Sequence, residues 1–282
     1  MLFRSRSSGL EWAGTILGTR EGIIEKDLDE DGRLVIEVGI AMTTSDYGWS
    51  FPRMEPEPTL VAMYNSVNEL GDVTVVVDGE SFKLDSRVIA IQAPALYEMT
   101  LKEEEDNDDN SNRDVLVLRD DDTSQTAFRA MIKFLYTRSL PTINDEKHAK
   151  LLLGTANRYG CVELKLYMES VIVERFLSPG SAASLMLFAD ANSCPQLKES
   201  AMDVCVSNMA TVMETKGWKS VEESPALLNQ FIRYHHVDRR AGTTATEYKT
   251  ISSIRIELKK LGHPLADLDG TREMLLERLE SH

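Results

Sequence analysis

The chain has 282 residues and a formal net charge of −15 at pH 7, with 42% hydrophobic and 27% charged residues. That composition is ordinary for a globular protein of about two modest domains. No apolar run approaches the roughly 20 residues needed to cross a bilayer, and the acidic balance disfavours general binding to phosphate backbones. Met1-Leu2-Phe3-Arg4-Ser5-Arg6 is not followed by the apolar core of a signal peptide. The expected location is therefore cytoplasm or nucleus, with no membrane contact. Three cysteines, Cys161, Cys194 and Cys205, show no Cys-x-x-Cys spacing, which points to structural thiols and not to a disulfide framework or a zinc site.

In chain order, Leu34–Ile40 is strand-like, rich in β-branched residues. Phe51 to Pro58 carries three prolines and reads as an extended linker. Leu60, Met63, Tyr64 and Val67 form an apolar stripe at helical spacing. Val73–Val77 is a second strand, Asp78-Gly79 a hairpin turn and Ser81–Leu84 the returning strand. Val88 to Leu101 is apolar with helical spacing, and Glu103 to Asn112 is an acidic run expected to be a solvated, mobile loop. Val115–Leu118 reads as a short strand. Asp122 or Thr123 is placed to cap a helix with Phe128, Ile132 and Leu135 on one face. Further helices are marked by Leu152, Ala156 and Tyr159, and by Leu164, Met168, Val171 and Ile172. Ser178-Pro179 reads as the start of the next, which carries Leu185, Phe188 and Ala189; another carries Leu197, Ala201, Cys205 and Met209.

Chemistry-bearing motifs are scarce. Asp27-Leu28-Asp29-Glu30-Asp31-Gly32 copies the first half of a calcium loop. The twelfth place, however, is Val38, with Glu37 one residue early, and a β-turn fits better. His235-His236 is a poor chelate, because adjacent side chains diverge. No phosphate loop, nucleophile elbow or zinc-protease helix is present. The expectation is a protein that is not an enzyme and needs no cofactor or metal.

The segment Gly71–Tyr136 resembles a BTB/POZ domain. The resemblance rests on Asp72–Val77, Phe82, Val88-Ile89-Ala90, Pro94, Leu96 and Phe128 through Phe134-Leu135-Tyr136-Thr137, continuing through Leu151-Leu152, Ala156, Tyr159 and Leu164. Ala189-Asp190, Gln196-Leu197-Lys198 and Glu214-Thr215-Lys216-Gly217-Trp218-Lys219-Ser220 resemble the helical tail of the speckle-type POZ family, a shortened BACK domain. Trp12, Thr19-Arg20-Glu21 and Asp29–Val38 are similar to the last strands of a MATH domain. Ile251, Ile254-Arg255, Leu258, Leu261-Gly262, Gly270-Thr271-Arg272, Leu275 and Leu279 are similar to a SAP motif, a small helix–loop–helix unit associated with DNA. Two positions depart from the family: Asp85-Ser86 replaces its usual His-Lys, and Gln92-Ala93 its usual Arg-Ser. Those positions often form a charged pocket for partner contacts.

The resemblance implies an α+β fold. Residues 1–57 would be a partial MATH-like segment and linker, 58–175 the BTB/POZ domain, 176–235 a BACK-like tail and 248–282 a SAP-like unit. It implies a homodimer through Leu60, Met63, Tyr64 and Val67. It also implies an adaptor that brings an unidentified client to a cullin-3 ubiquitin ligase, with Leu101, Glu103, Met131 and Tyr136 facing the cullin. Trp218 is expected to pack in its own helical unit. The rival reading is a nuclear scaffold on DNA, with Arg255, Lys259 and Arg272 toward nucleic acid. Five basic against six acidic residues from Ile251 to His282 give −1, which favours the adaptor. A third reading is a decaying paralogue that dimerises and captures nothing.

Overall fold

Alternating valines build the first element of the core. In a computed structural model of the chain, Val73, Val75 and Val77 of strand β1 (Val73–Val77) face inward, and the half-buried Thr74 and Val76 alternate with them. The structure describes residues 51–52, 54–106, 119–120, 123–234 and 249–281. All of these belong to one compact unit, Gly48–His282. Strand β2 (Glu80–Leu84) pairs antiparallel with β1 in the register Val75 to Phe82. The turn between them has φ of 47° at Asp78 and 78° at Gly79, the left-handed pair that an Asp-Gly hairpin uses. Strand β3 (Arg119–Asp120) adds to the other edge of β1 in parallel, giving the order β2-β1-β3. The expected strand at Val115–Leu118 lies outside the described residues, as do Leu34–Ile40, the calcium-like loop and His235-His236.

Helix α1 (Pro58–Leu70) opens with proline at its first turn, where the missing N–H costs nothing. The expected single helical stretch from Val88 to Leu101 is two helices, α2 (Ser86–Gln92) and α3 (Pro94–Asp106). Pro94 has no N–H to continue the ladder of α2 but serves as the first residue of α3. Helices α4 (Gln125–Thr137), α5 (Glu146–Tyr159) and α6 (Val162–Arg175) follow. Ser124 occupies the cap position of α4, without a side-chain capping bond, in place of the expected Thr123; Asp122 lies outside the described residues. Phe82, Phe128 and Tyr159 stack edge to face in sequence, with centroids 4.9 Å and 5.2 Å apart, so sheet, α4 and α5 share one core.

A second core lies beyond α6, in α7 (Ala182–Ala191), α8 (Pro195–Ser207), α9 (Met209–Val212), α10 (Lys216–Glu222) and α11 (Pro225–Arg233). Helix α7 starts later than Ser178-Pro179 implied. Ser181 is its cap residue, and the Ser178 carbonyl accepts from the Ser181 and Ala182 N–H groups in the turn before it. Trp218 is buried, edge-on to Phe231 at 5.5 Å, with Nε1 donating to Glu222 at 2.9 Å. Cys161, Cys194 and Cys205 are buried and in no disulfide, and burial pushes the Cys161 thiol up to about 12 and the Cys205 thiol to about 11.

A third, small core joins α12 (Ile251–Lys260), a 3-10 turn (Leu265–Leu268) and α13 (Arg272–Glu280) to Leu166 of α6. No helix among the described residues is long and apolar enough to cross a membrane.

One glycine decides how α10 meets α7. A Cβ on Gly217 would lie 2.7 Å from the backbone nitrogen of Ser184, closer than two such atoms approach. Gly217→Ala is expected to push α10 off α7 and cost about 1–3 kcal/mol. Chemical denaturation checks this: a midpoint equal to wild type would mean that the helices are not held at this distance.

Candidate functional site

The residues with interaction chemistry fall on four places: α1, the junction of α2 with α4, the end of α3, and the C-terminal helix pair. On α1 the stripe Leu60, Met63, Tyr64 and Val67 forms as a single face, and that face packs on the chain's own core. Val67 is buried and the other three are half-buried. Tyr64 lies 5.7 Å from the Tyr136 ring. What α1 and α2 leave open is different: Leu70 is 75% exposed and Ile91 78%. Neither was singled out from the sequence, because each follows the apolar periodicity of its segment and only the packing shows which positions stay outside.

Helix α4 has its apolar face turned into the domain. Met131 and Tyr136 have no exposed surface, so the expectation that they face a partner does not fit their burial. The reason is local. Tyr136 ends the buried stripe of α4, and its hydroxyl accepts the Asp85 N–H at 2.8 Å. Burial pushes that phenol up to about 12.

Asp85 and Ser86 stand where the resembled family has His-Lys, and their chemistry here is internal. The Asp85 carboxylate caps α2 by accepting the Arg87 N–H at 3.0 Å, and it takes Arg87 Nε and Nη2 at 3.0 Å and 2.6 Å. Ser86 donates its N–H and hydroxyl to Asp72 at 2.7 Å and 2.6 Å. Gln92, at the other departure, accepts from Arg138 Nη2 at 2.7 Å, and Arg138 also pairs with Glu163. Both departures are thus closed by partners within the chain.

Helix α3 extends to Asp106, so Leu101-Lys102-Glu103 belongs to the helix's last turns and not to a loop after it. Leu101 is 40% exposed and Lys102 is exposed. Glu103 to Asp106 continue the helix backbone, and the rest of the acidic run lies outside the described residues. Between α5 and α7 lies an open groove of about 540 Å³, lined by Glu146, Lys147, Lys150, Leu151, Gly154 and Phe188. Lys150 sits 5.5 Å above the Phe188 ring and pairs with Glu146 at 2.5 Å. Leu151 is left partly exposed at the rim.

The three cations proposed for nucleic acid part company. Arg255 is fully buried and ion-paired with the equally buried Glu169 at 2.7 Å. Arg272 donates to the Lys249 carbonyl at 2.6 Å and lies 3.6 Å from Glu199. Of the three, Lys259 alone is exposed. Arg255 and Arg272 are therefore committed to the protein itself. Among the described residues, no group of three or more His, Cys, Asp or Glu side chains converges as a metal site would.

The Asp85 cap carries a pH dependence. The Arg87 guanidinium and N–H hold the Asp85 carboxyl below its ordinary 3.8. A depressed folded-state pKa means that the cap's contribution is complete above the ordinary value and lost as pH falls through the lower one. Asp85→Asn is thus expected to be less stable than wild type at neutral pH, with the gap closing below about pH 4. Arg87 is exposed, so solvent keeps the gap small. Urea melts across pH check this; a gap that widens on acidification would contradict the assignment.

The chain is similar to known proteins over part of its length. A family model described as the BTB/POZ domain matches residues 63–175. The mouse (Mus musculus) TD and POZ domain-containing protein 4 is 27% identical over 202 residues, 70% of this chain and 53% of that protein. The mouse TD and POZ domain-containing protein 3 is 32% identical over 156 residues, 54% of this chain and 40% of that protein. The chain thus spans about half the length, or less, of these curated relatives. The match begins within α1 and ends with α6, and so covers the sheet, the aromatic stack and the Asp85–Tyr136 junction. Residues 63–175 are a BTB/POZ domain, a protein-interaction module.

Proposed function

We propose that the chain is a dimeric, non-catalytic adaptor that joins a client protein to a cullin-3 ubiquitin ligase. The observation that carries the reading is the BTB/POZ domain with apolar side chains left outside a core that is otherwise closed. The exposed Leu70 and Ile91 offer surface for a second copy, as do the half-buried Leu60, Met63 and Tyr64 of α1. Leu101, at the solvent-facing end of α3, and the Leu151–Phe188 groove offer surface for a partner. Single exposed apolar residues are common on any protein, so the argument rests on their occurrence on an interaction module.

The mechanism is proximity. A dimer that holds a ligase on one face and a client on another raises the effective concentration of one for the other, with no chemistry of its own. The nuclear, DNA-bound scaffold is disfavoured, because Arg255 and Arg272 are spent on internal pairs. A speckle-type MATH–BTB–BACK relationship for the flanking segments belongs to the same proposal.

The test is direct binding of the purified chain to cullin-3. Leu101→Ala is expected to weaken binding by about 1–2 kcal/mol. It should leave the dimer intact by light scattering. Tyr136 is unsuitable as a probe, since truncating it would open the core. No binding of the wild-type chain at concentrations of tens of micromolar, or a monomer throughout a dilution series, would overturn the proposal.

A further inference from the structure

The C-terminal helix pair is seated on the rest of the chain through a small apolar cluster and a set of charged contacts. Its own core is small: Ile251, Ile254, Leu258, Leu268 and Leu275 are buried, joined by Leu166 of α6, with Val162 and Phe51 of the body packed against them. A segment of about 30 residues with so few buried groups does not close a stable core alone. Its folding therefore depends on its seat.

That seat is polar and fixed in register. Arg255 Nε donates to the Leu268 carbonyl at 2.9 Å, which closes the helix pair on itself. Arg255 Nη1 reaches across to Glu169 of α6 and Gln196 of α8, both at 2.7 Å. One guanidinium thus couples the pair's fold to its docking. Two further charge pairs flank it, one with its sign reversed and one with the same sign: Lys165 of α6 donates to Asp269 at 2.9 Å, and Glu199 of α8 lies 3.6 Å from Arg272. Glu199 also accepts the Ile251 N–H at 2.7 Å, at the start of α12. A shifted register would leave like charges together or a buried charge unpaired, which is costly. Contacts of this kind are typical of surfaces that meet and separate.

We propose that the α6–α8 face bearing Lys165, Leu166, Glu169, Gln196 and Glu199 is a reversible acceptor site for an arginine-bearing helix pair, filled in cis by the chain's own residues 249–281. Arg255 is the plug. Release uncovers Leu166 together with the charged groups Lys165, Glu169 and Glu199, a seat whose mixed signs match residues 249–281. The reading goes beyond the adaptor proposal and does not depend on it.

A specific protease site placed within residues 235–248 of the full chain tests it. After cleavage, the C-terminal fragment is expected to co-elute with the body one to one. A fluorescent synthetic copy of residues 249–282, added in excess, is expected to exchange into the site. Arg255→Met is expected to weaken retention roughly 100-fold or more, since it strands a buried carboxylate. Lys165→Glu is expected to weaken it more modestly, and adding Asp269→Lys to restore it. That pair lies nearer the surface and keeps the test decisive even if Arg255→Met does not fold. A fragment that leaves the cleaved wild type at once, one that never exchanges, or a charge reversal that rescues nothing would overturn the proposal.

Discussion

Two attachments of the segments that follow the BTB/POZ domain meet at one buried carboxylate. Glu169 of α6 has no exposed surface, and a charge in that position is tolerated only if its oxygens are satisfied. They are, by different parts of the chain. Oε1 accepts the Leu197 N–H at 3.0 Å, which seats the start of α8. Oε2 accepts Arg255, which seats the C-terminal helix pair. The last helix of the domain is thereby fixed to the helices that follow and to the end of the described chain. Such a pair is weak evidence for net stability, because dehydrating two charges offsets their attraction. Its removal by halves is what costs most, and that asymmetry gives the arrangement its specificity.

The BTB/POZ domain itself depends on ordinary apolar packing with two polar locks. The aromatic series Phe82–Phe128–Tyr159 joins sheet to helices. The locks are Tyr136 on the Asp85 N–H and Arg138 on Gln92 and Glu163. The second uses the Gln92 side chain, where the sequence departs from the resembled family; the first uses only the backbone N–H at position 85, which any non-proline residue supplies. At the two departures the side chains of Asp85, Ser86 and Gln92 are taken up by partners within the chain.

Much of the domain was legible because its signals are local. Alternating valines before Asp78-Gly79 specify a half-buried strand and a left-handed turn, and the helical stripes of α4, α5 and α6 lie where periodicity put them. The α1 stripe was legible as a stripe, but periodicity names a buried face without naming what covers it, and here most of that face is covered by the chain's own core. Met131 and Tyr136 were assigned outward by the resemblance, against the local signal, since both lie on the buried stripe of α4. Arg255 is more instructive. It occupies the buried stripe of α12, at helical spacing with Ile251, Ile254 and Leu258. A cation in that place signals a buried carboxylate partner. Counting the net charge of the segment treated it as a surface residue and hid that signal. Glu169 was illegible for the converse reason: its partners, Leu197 and Arg255, are remote in sequence.

The most direct test of this organisation is hydrogen exchange, followed by mass spectrometry, on the full chain carrying Glu169→Gln. The account predicts lost protection at two separate places, the start of α8 around Leu197 and residues 251–280, with β1, β2 and α4 protected as in wild type. Unchanged protection at both places, or a uniform loss across the whole chain, would contradict it.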